Sequence, residues 1–471
     1  MRGAVRVVGT SALVVLLAGG AYLTADAYDV VPGVLTLAPE AGSAADFPTA
    51  SAATTALSGA TVLGDLDESA PLPDATEIDA MVQELVADSR LGSSVGVVVA
   101  DQLTGEVLAE SGADDARTPA STAKLVTAVA ALTELGADRT FDTTVLEGSG
   151  DQIVLVGGGD MMLASGAGDA DAVNGRAGLA DLAAQVAEQL RLAGRTTVTL
   201  ALDDTLFTGS TLNDGWDDSD VSAGYVAPVT ALAVDIAKQT EGEYVARWSD
   251  PSMEAAEEFA ARLTELGITV SGSPTRVTET ATGDQLAVVS SAPVSEVVQY
   301  FLDVSDNTIT EVVARMVAIE LGLPATFAGA TQAVLRTVGT LGVDTSDAVL
   351  SDASGLAEGS ALSPRLLLSL LELITDPAYP ALREIGIGLP IGGLTGTLAD
   401  RYTSGAATGL IRAKTGSLSG VTTLAGTVLD SDGRQLLFVL MADQTGATGQ
   451  YQPRAALDGF VTELAGCGCQ G

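Results

Sequence analysis

The chain is 471 residues long, enough for about three structural units or for one catalytic domain carrying a large insertion. Its residues are 47% hydrophobic and 18% charged, a composition that can bury a substantial core and excludes a disordered chain. With 61 acidic against 22 basic residues the formal net charge is −39, which repels nucleic-acid backbones and anionic lipid alike, so no nucleic-acid partner is expected.

Residues 1–27 open with Arg2 and Arg6 and run apolar from Val7 to Leu23, with no charge before Asp26. This segment reads as an export leader with a small-residue cleavage site at Ala25-Asp26-Ala27, or as an uncleaved anchor through residues 7–24. About 17 apolar residues at ~1.5 Å each fall just short of a bilayer core. Either reading puts the protein outside the cytoplasm, in the cell wall or its periplasmic equivalent, with membrane contact confined to this segment. Residues 28–76 contain carboxylates and no base, the pattern of an acidic linker.

Ordered patterning begins near Ile78. IDAMVQELVADSRLG has helical spacing, SSVGVVVADQLTGEVLAES reads as a hairpin around Thr104-Gly105, and PASTAKLVTAVAALTELG reads as a helix. Residues 139–288 mix short strands such as QIVLVGGG and TVTLALDD with helices such as LADLAAQVAEQLRLAG, enough for an inserted accessory domain of mixed α/β character. Two helical patterns then meet at Ser305-Asp306-Asn307. Beyond them GLIRAKTGSL, GVTTLAGTVLD and RQLLFVLMAD are strand-rich, and a closing helix runs from about Arg454 to Ala465. The expected fold is α+β: residues 77–138 and 289–466 form an antiparallel sheet flanked by N- and C-terminal helices, with a helical subdomain beside it. Gly157-Gly158-Gly159 lacks the lysine of a phosphate loop and reads as a turn between strands. Lys238 reads as a solvated end, and Cys467 and Cys469 belong to a tail, residues 467–471, without a role.

The chain has no histidine, which excludes a Ser-His-Asp triad and every His-containing metal site, and no metal or cofactor is expected. Lysine survives only at positions 124, 238 and 414. Arginine keeps its proton and a desolvated lysine can lose it, so a surviving lysine points to chemistry that arginine cannot copy. Ser121 and Lys124 are three residues apart at the start of a helix, which puts the amine within reach of the hydroxyl. Serine needs a neighbouring base, and lysine is the candidate on offer.

To act near pH 7 that lysine must fall from about 10.4 to about 7, a cost of roughly 4 kcal/mol that burial and a second nearby cation can supply. Lys414-Thr415-Gly416 supplies the cation on an expected edge strand. The hydroxyls of Thr415 and Ser417 can face a substrate carboxylate, while Gly416 permits close approach. Backbone N–H groups of Ser121 and Ser417 are oxyanion-hole candidates. Ser305 is expected to link the two lysines as a proton relay, Asn307 to hold a substrate amide, and Asp306 to stabilise its own turn.

Ser-x-x-Lys, Ser-Asp-Asn and Lys-Thr-Gly, in this order on a helix start, an interhelical turn and a strand, resemble the motif trio of the penicillin-recognising serine enzymes. The chain is similar to low-molecular-mass class C penicillin-binding proteins, the D-alanyl-D-alanine carboxypeptidase/endopeptidase family. Further likeness lies in LVGGGDMML, DDTLFTG, SAGYVAPVTAL, SDASGLAEGSALSP and LPIGGLTGTLADR. Asp352 and Ser354 fall within one of these stretches and are assigned no role. The resemblance implies the penicillin-binding, serine β-lactamase-like transpeptidase fold with its inserted domain.

It also implies cleavage of the terminal D-Ala from stem peptides ending in D-Ala-D-Ala, through an acyl-enzyme on Ser121, with endopeptidase action on crosslinks as an extension. β-Lactams would be covalent inhibitors. By position, Ser121 is nucleophile, Lys124 base, Ser305 and Asn307 relay and amide contact, and Lys414 with Thr415, Gly416 and Ser417 the carboxylate-binding strand. Two alternatives stay open. A serine β-lactamase would share the trio, although the Glu-x-x-Leu-Asn pattern of class A deacylation is missing; a non-catalytic peptidoglycan-binding envelope protein would keep the pocket without turnover.

Overall fold

The computed structural model describes residues 22–24, 68–405, 407–446 and 449–468. Apart from a helical turn at 22–24, the leader and the linker up to residue 67 lie outside the described residues. Among the described residues no helix is long and apolar enough to cross a membrane. The body from residue 68 onward is described below.

Helix α1 (Ala75–Val86) begins where the Asp74 carboxylate accepts the Thr76 N–H at 2.7 Å. The hairpin follows as β1 (Val95–Asp101) and β2 (Val107–Ser111). Helix α2 (Lys124–Glu134) is the central helix of the body, with every residue from Lys124 to Leu132 buried. Its alanines at 128, 130 and 131 let neighbours approach on all sides. The inserted region contributes β3 (Asp142–Glu147), β4 (Gln152–Val156), β5 (Asp160–Leu163), α3 (Leu179–Leu192), β6 (Thr197–Asp203), β7 (Leu232–Val234), α4 (Pro251–Glu265), β8 (Thr269–Val270), β9 (Thr275–Arg276) and β10 (Gln285–Ser290). Then come α5 (Val294–Asp303), α6 (Asn307–Glu320), α7 (Phe327–Thr340), α8 (Pro364–Thr375), β11 (Ile411–Leu418), β12 (Val421–Leu429), β13 (Gln435–Ala442) and α9 (Tyr451–Gly466).

The main sheet has the order β11-β12-β13-β1-β2 and is antiparallel throughout. Period-2 alternation gives it two buried faces. Val97, Val99, Leu436, Phe438 and Leu440 pack with Ile78 and Val82 of α1 and Phe460 and Leu464 of α9. Val98, Leu437, Val439 and Met441 face the helical core built around α2, α5, α6 and α7. The inserted strands form a second sheet, β10-β3-β4-β6-β8, in which β4 and β6 are parallel, over a separate core with α3 and α4. Chain segments on either side of the insertion thus return to one body, and α2, α6 and the edge strand β11 converge.

Glycines 157–159 turn between β4 and β5, and a Cβ on Gly158 would lie 2.0 Å from the Asp142 carbonyl oxygen. Lys238 is not a solvated end: it is largely buried and sits 3.6 Å from Asp235, because a short backbone turn brings that carboxylate beside it. Cys467 is disulfide-bonded and packs against the core between the main sheet and its outer helices. Cys469 lies outside the described residues.

Candidate active site

Ser121 sits in a 3-10 turn, Ala120–Ala123, that leads into α2 at Lys124. The residue before it, Ala120, is fully buried with φ 46°, a left-handed conformation costly for alanine. Two glycines clamp this turn. A Cβ on Gly416 would stand 2.1 Å from Thr423 Oγ1 and 2.8 Å from the Pro119 carbonyl oxygen, and one on Gly355 would stand 2.0 Å from the Ala120 carbonyl oxygen. Thr423 Oγ1 also donates to the Pro119 carbonyl at 2.9 Å, tying β12 to the turn.

One helical step on, Lys124 Nζ reaches Ser121 Oγ at 2.9 Å, Asn307 Oδ1 at 2.6 Å and the Ser354 carbonyl oxygen at 2.8 Å. Asn307 is the first residue of α6, whose N-cap Asp306 accepts the Ile309 N–H at 2.8 Å, as the sequence suggested. The other side of the Asn307 amide donates to the Tyr225 carbonyl at 3.0 Å, which fixes its orientation. Ser305, with φ 59°, takes Lys414 Nζ on its Oγ at 2.9 Å. Lys414 also donates to the Thr415 carbonyl at 3.0 Å. On the same strand Thr415 Oγ1 donates to Thr397 Oγ1 at 2.8 Å, and Ser417 Oγ accepts from Arg454 Nη2 at 2.9 Å.

The structure therefore gathers residues 121, 124, 305, 307, 414, 415, 416 and 417 where α2, the start of α6 and the edge strand β11 meet, with one correction. Ser305 does not bridge the two lysines: Asn307 holds Lys124 while Ser305 holds Lys414, because the tight turn at Ser305 swings the two side chains toward different amines. The electrostatics are set mainly by burial. Lys124 is brought down from 10.5 to about 8 by burial, against the upward pull of Asp352, Asp306 and Glu311. Lys414 also lies well below its ordinary value, through burial and then the charge of Lys124, with Asp303 opposing.

Sequence reasoning missed the floor under Lys124. Glu311, one turn beyond Asn307 on α6, accepts the N–H groups of Ala353 at 3.0 Å and Ser354 at 2.8 Å. Asp352 accepts from Trp216 Nε1 at 2.8 Å, Ser354 Oγ at 3.0 Å, Gly355 N at 2.7 Å and Ala357 N at 2.8 Å. These two buried carboxylates hold the turn that aims the Ser354 carbonyl at the amine. Thr397 and Arg454 were also missed. Among the described residues no cluster of three or more His, Cys, Asp or Glu could hold a metal ion.

A serine in bonding contact with a buried, depressed lysine, between a helical subdomain and the edge strand of an antiparallel sheet, is the arrangement a serine acyl-transfer enzyme without histidine requires. The chain matches the model of the D-Ala-D-Ala carboxypeptidase 3 (S13) family over residues 78–245 and 236–464. It is 33% identical to a carboxypeptidase of Mycobacterium tuberculosis over 413 residues, covering 85% of this chain and 86% of that relative. It is 34% identical to a carboxypeptidase of Mycolicibacterium smegmatis over 420 residues, covering 86% and 87%. Penicillin-binding protein 4 of Haemophilus influenzae superposes with a TM-score of 0.67 at 25% identity, over 81% of this chain and 98% of that one. The chain belongs to the D-Ala-D-Ala carboxypeptidase 3 (S13) family and is a serine-type D-Ala-D-Ala carboxypeptidase, a low-molecular-mass class C penicillin-binding protein on an α+β fold.

Proposed function

We propose that Ser121 is the acyl acceptor and Lys124 its base, and that the enzyme trims stem peptides outside the cytoplasm, exported by its apolar N-terminal segment. The bonding of Lys124 carries this reading. Two of its three partners, Asn307 Oδ1 and the Ser354 carbonyl, can only accept. A neutral amine has two N–H groups for those two acceptors, and its lone pair is left for the third partner, the Ser121 hydroxyl. Loss of one proton from Lys124 thus turns the contact round, and the serine donates to the amine.

Attack by Ser121 Oγ on the penultimate D-Ala carbonyl then passes the serine proton to Lys124. The backbone N–H groups of Ser121 and Ser417 are the candidate oxyanion donors. As the C–N bond breaks, Lys124 returns the proton it took from Ser121 to the departing D-Ala amine, with Ser305, held in place by Lys414, the candidate relay. Water entering the vacated site releases the shortened peptide. Thr415 and Ser417 face the substrate's terminal carboxylate.

Labelling with a fluorescent penicillin, alongside intact-mass analysis, tests the assignment. The wild type should carry a stable adduct and release D-Ala from a defined pentapeptide, and Ser121→Ala should do neither. Rapid turnover of the penicillin would favour a lactamase, and absence of an adduct a binding module. Fusion of the first 70 residues to a phosphatase active only after export tests localisation.

A further inference from the structure

We infer that Arg454 is the cation that holds the substrate's terminal carboxylate, an inference that rests on the D-Ala-D-Ala reading and names the group that recognises its free acid. Lys414, the base carried by the strand itself, is a poor permanent charge: it is fully buried, its nitrogen is committed to Ser305 and the Thr415 carbonyl, and burial works against its ammonium. Arginine keeps its charge at any working pH and presents a planar fork that matches a carboxylate.

Arg454 lies in the first turn of α9, which is pinned to the end of β11 by Gln450 Nε2 donating to the Leu418 carbonyl at 2.5 Å. Its Nη2 donates to Ser417 Oγ at 2.9 Å. Ser417 therefore accepts from arginine and keeps its own O–H to donate, so hydroxyl and guanidinium present donors side by side at one end of the cleft. The charge of Arg454 is uncompensated. Its neighbour Asp458 is bonded to Arg401, with Oδ1 2.5 Å from Arg401 Nη2, and among the described residues no carboxylate oxygen lies within 4 Å of Arg454. Arg454 is exposed, yet neighbouring protein takes part of its water, and this, then the charge of Arg401, works against its proton, with Asp458 and the Tyr244 hydroxyl opposing. An anion arriving at Ser417 relieves this imbalance, in a protein whose other surfaces are strongly acidic.

The test compares N-acyl-D-Ala-D-Ala with its C-terminal carboxamide, using the purified full chain and its Arg454→Gln and Arg454→Lys variants. Charge-assisted hydrogen bonds of this kind correspond to a preference for the acid of about 100-fold in kcat/KM in the wild type. Arg454→Gln should reduce that preference to less than about tenfold, through loss of acid turnover alone, with Arg454→Lys intermediate because its point charge lacks the fork. If both substrates slow equally and the preference is kept, Arg454 only supports Ser417 and the inference is overturned. Arg454→Lys decides the matter by the same ratio should the glutamine variant not fold. A wild type that releases D-Ala from neither substrate is a different failure, that of the carboxypeptidase reading beneath it.

Discussion

Replacing Lys124 by arginine keeps a positive charge beside Ser121 and removes the lone pair, so it isolates the proposed step. With Lys124 at about 8, roughly one molecule in ten has a neutral amine at pH 7. An arginine, above about 12, would be neutral in fewer than one molecule in 10⁵ at that pH. The acylation rate should therefore fall by at least about 10⁴-fold, equivalent to about 5 kcal/mol of barrier. Stopped-flow labelling with a fluorescent penicillin between pH 6 and pH 10 measures it. The wild-type rate should climb about tenfold per pH unit below 8, because raising the pH frees the amine, and flatten above. Arginine is bulkier than the fully buried lysine it replaces, so Lys124→Met, of similar length and without a lone pair, serves as the second variant, with thermal melting as the check on folding. A rate within about tenfold of wild type in either folded variant, or a wild-type profile flat from pH 6 to 8, would refute Lys124 as the base.

Gly416→Ala should force β11 off the Ser121 turn, since the new Cβ would meet Thr423 Oγ1 at 2.1 Å. Expected are a penalty of about 1–3 kcal/mol in urea unfolding and an acylation rate reduced by at least about 100-fold, and an unimpaired rate would count against the clamp. Asp101→Asn tests the frame instead of the chemistry. Burial pushes the Asp101 carboxyl up, but hydrogen bonds from Arg434, at 2.5 and 2.6 Å, and from Thr104 outweigh it and hold it below 3.8. A depressed carboxyl contributes stability above its unfolded value and loses it as pH falls through the folded one. The variant should thus be about 3 kcal/mol less stable at pH 7, with the gap to wild type narrowing below about pH 4 in parallel urea titrations. A gap that stays constant with pH would show that the ion pair is not its source.

The parts of the site written as side chains at fixed spacing were legible in the sequence. Ser121 and Lys124 share a helical face, Lys414 and Gly416 alternate with Thr415 and Ser417 on an edge strand, and Ser305 to Asn307 joins two helices whose apolar spacing is plain. The main sheet was equally legible, because Val97 to Ala100 and Leu436 to Met441 are continuous apolar runs that fit only a strand covered on both faces. Contributions made by the backbone left no such mark. The Ser354 carbonyl on Lys124 depends on a turn whose backbone N–H groups are held by Glu311 and Asp352. The SDASG stretch carried a family likeness without showing that one of its peptide oxygens faces the amine.

The sequence named burial and a second nearby cation as sources of the lysine shift, but it could not weigh them, because burial belongs to the assembled body. In the folded protein enclosure is the largest cause of the fall of Lys124, and Asp352, Asp306 and Glu311 restrain it so that the amine stops near the working range and not far below it. That balance also accounts for two of the chain's few lysines standing side by side. On the proposed mechanism Lys124 must titrate to move the serine proton, and Lys414, lowered by burial and then by its neighbour's charge, holds Ser305 in place for the relay. A fixed charge for the substrate's carboxylate then has to come from a residue that does not titrate, and the guanidinium of Arg454 on α9, bonded to Ser417 near the end of the strand that carries Lys414, meets that requirement.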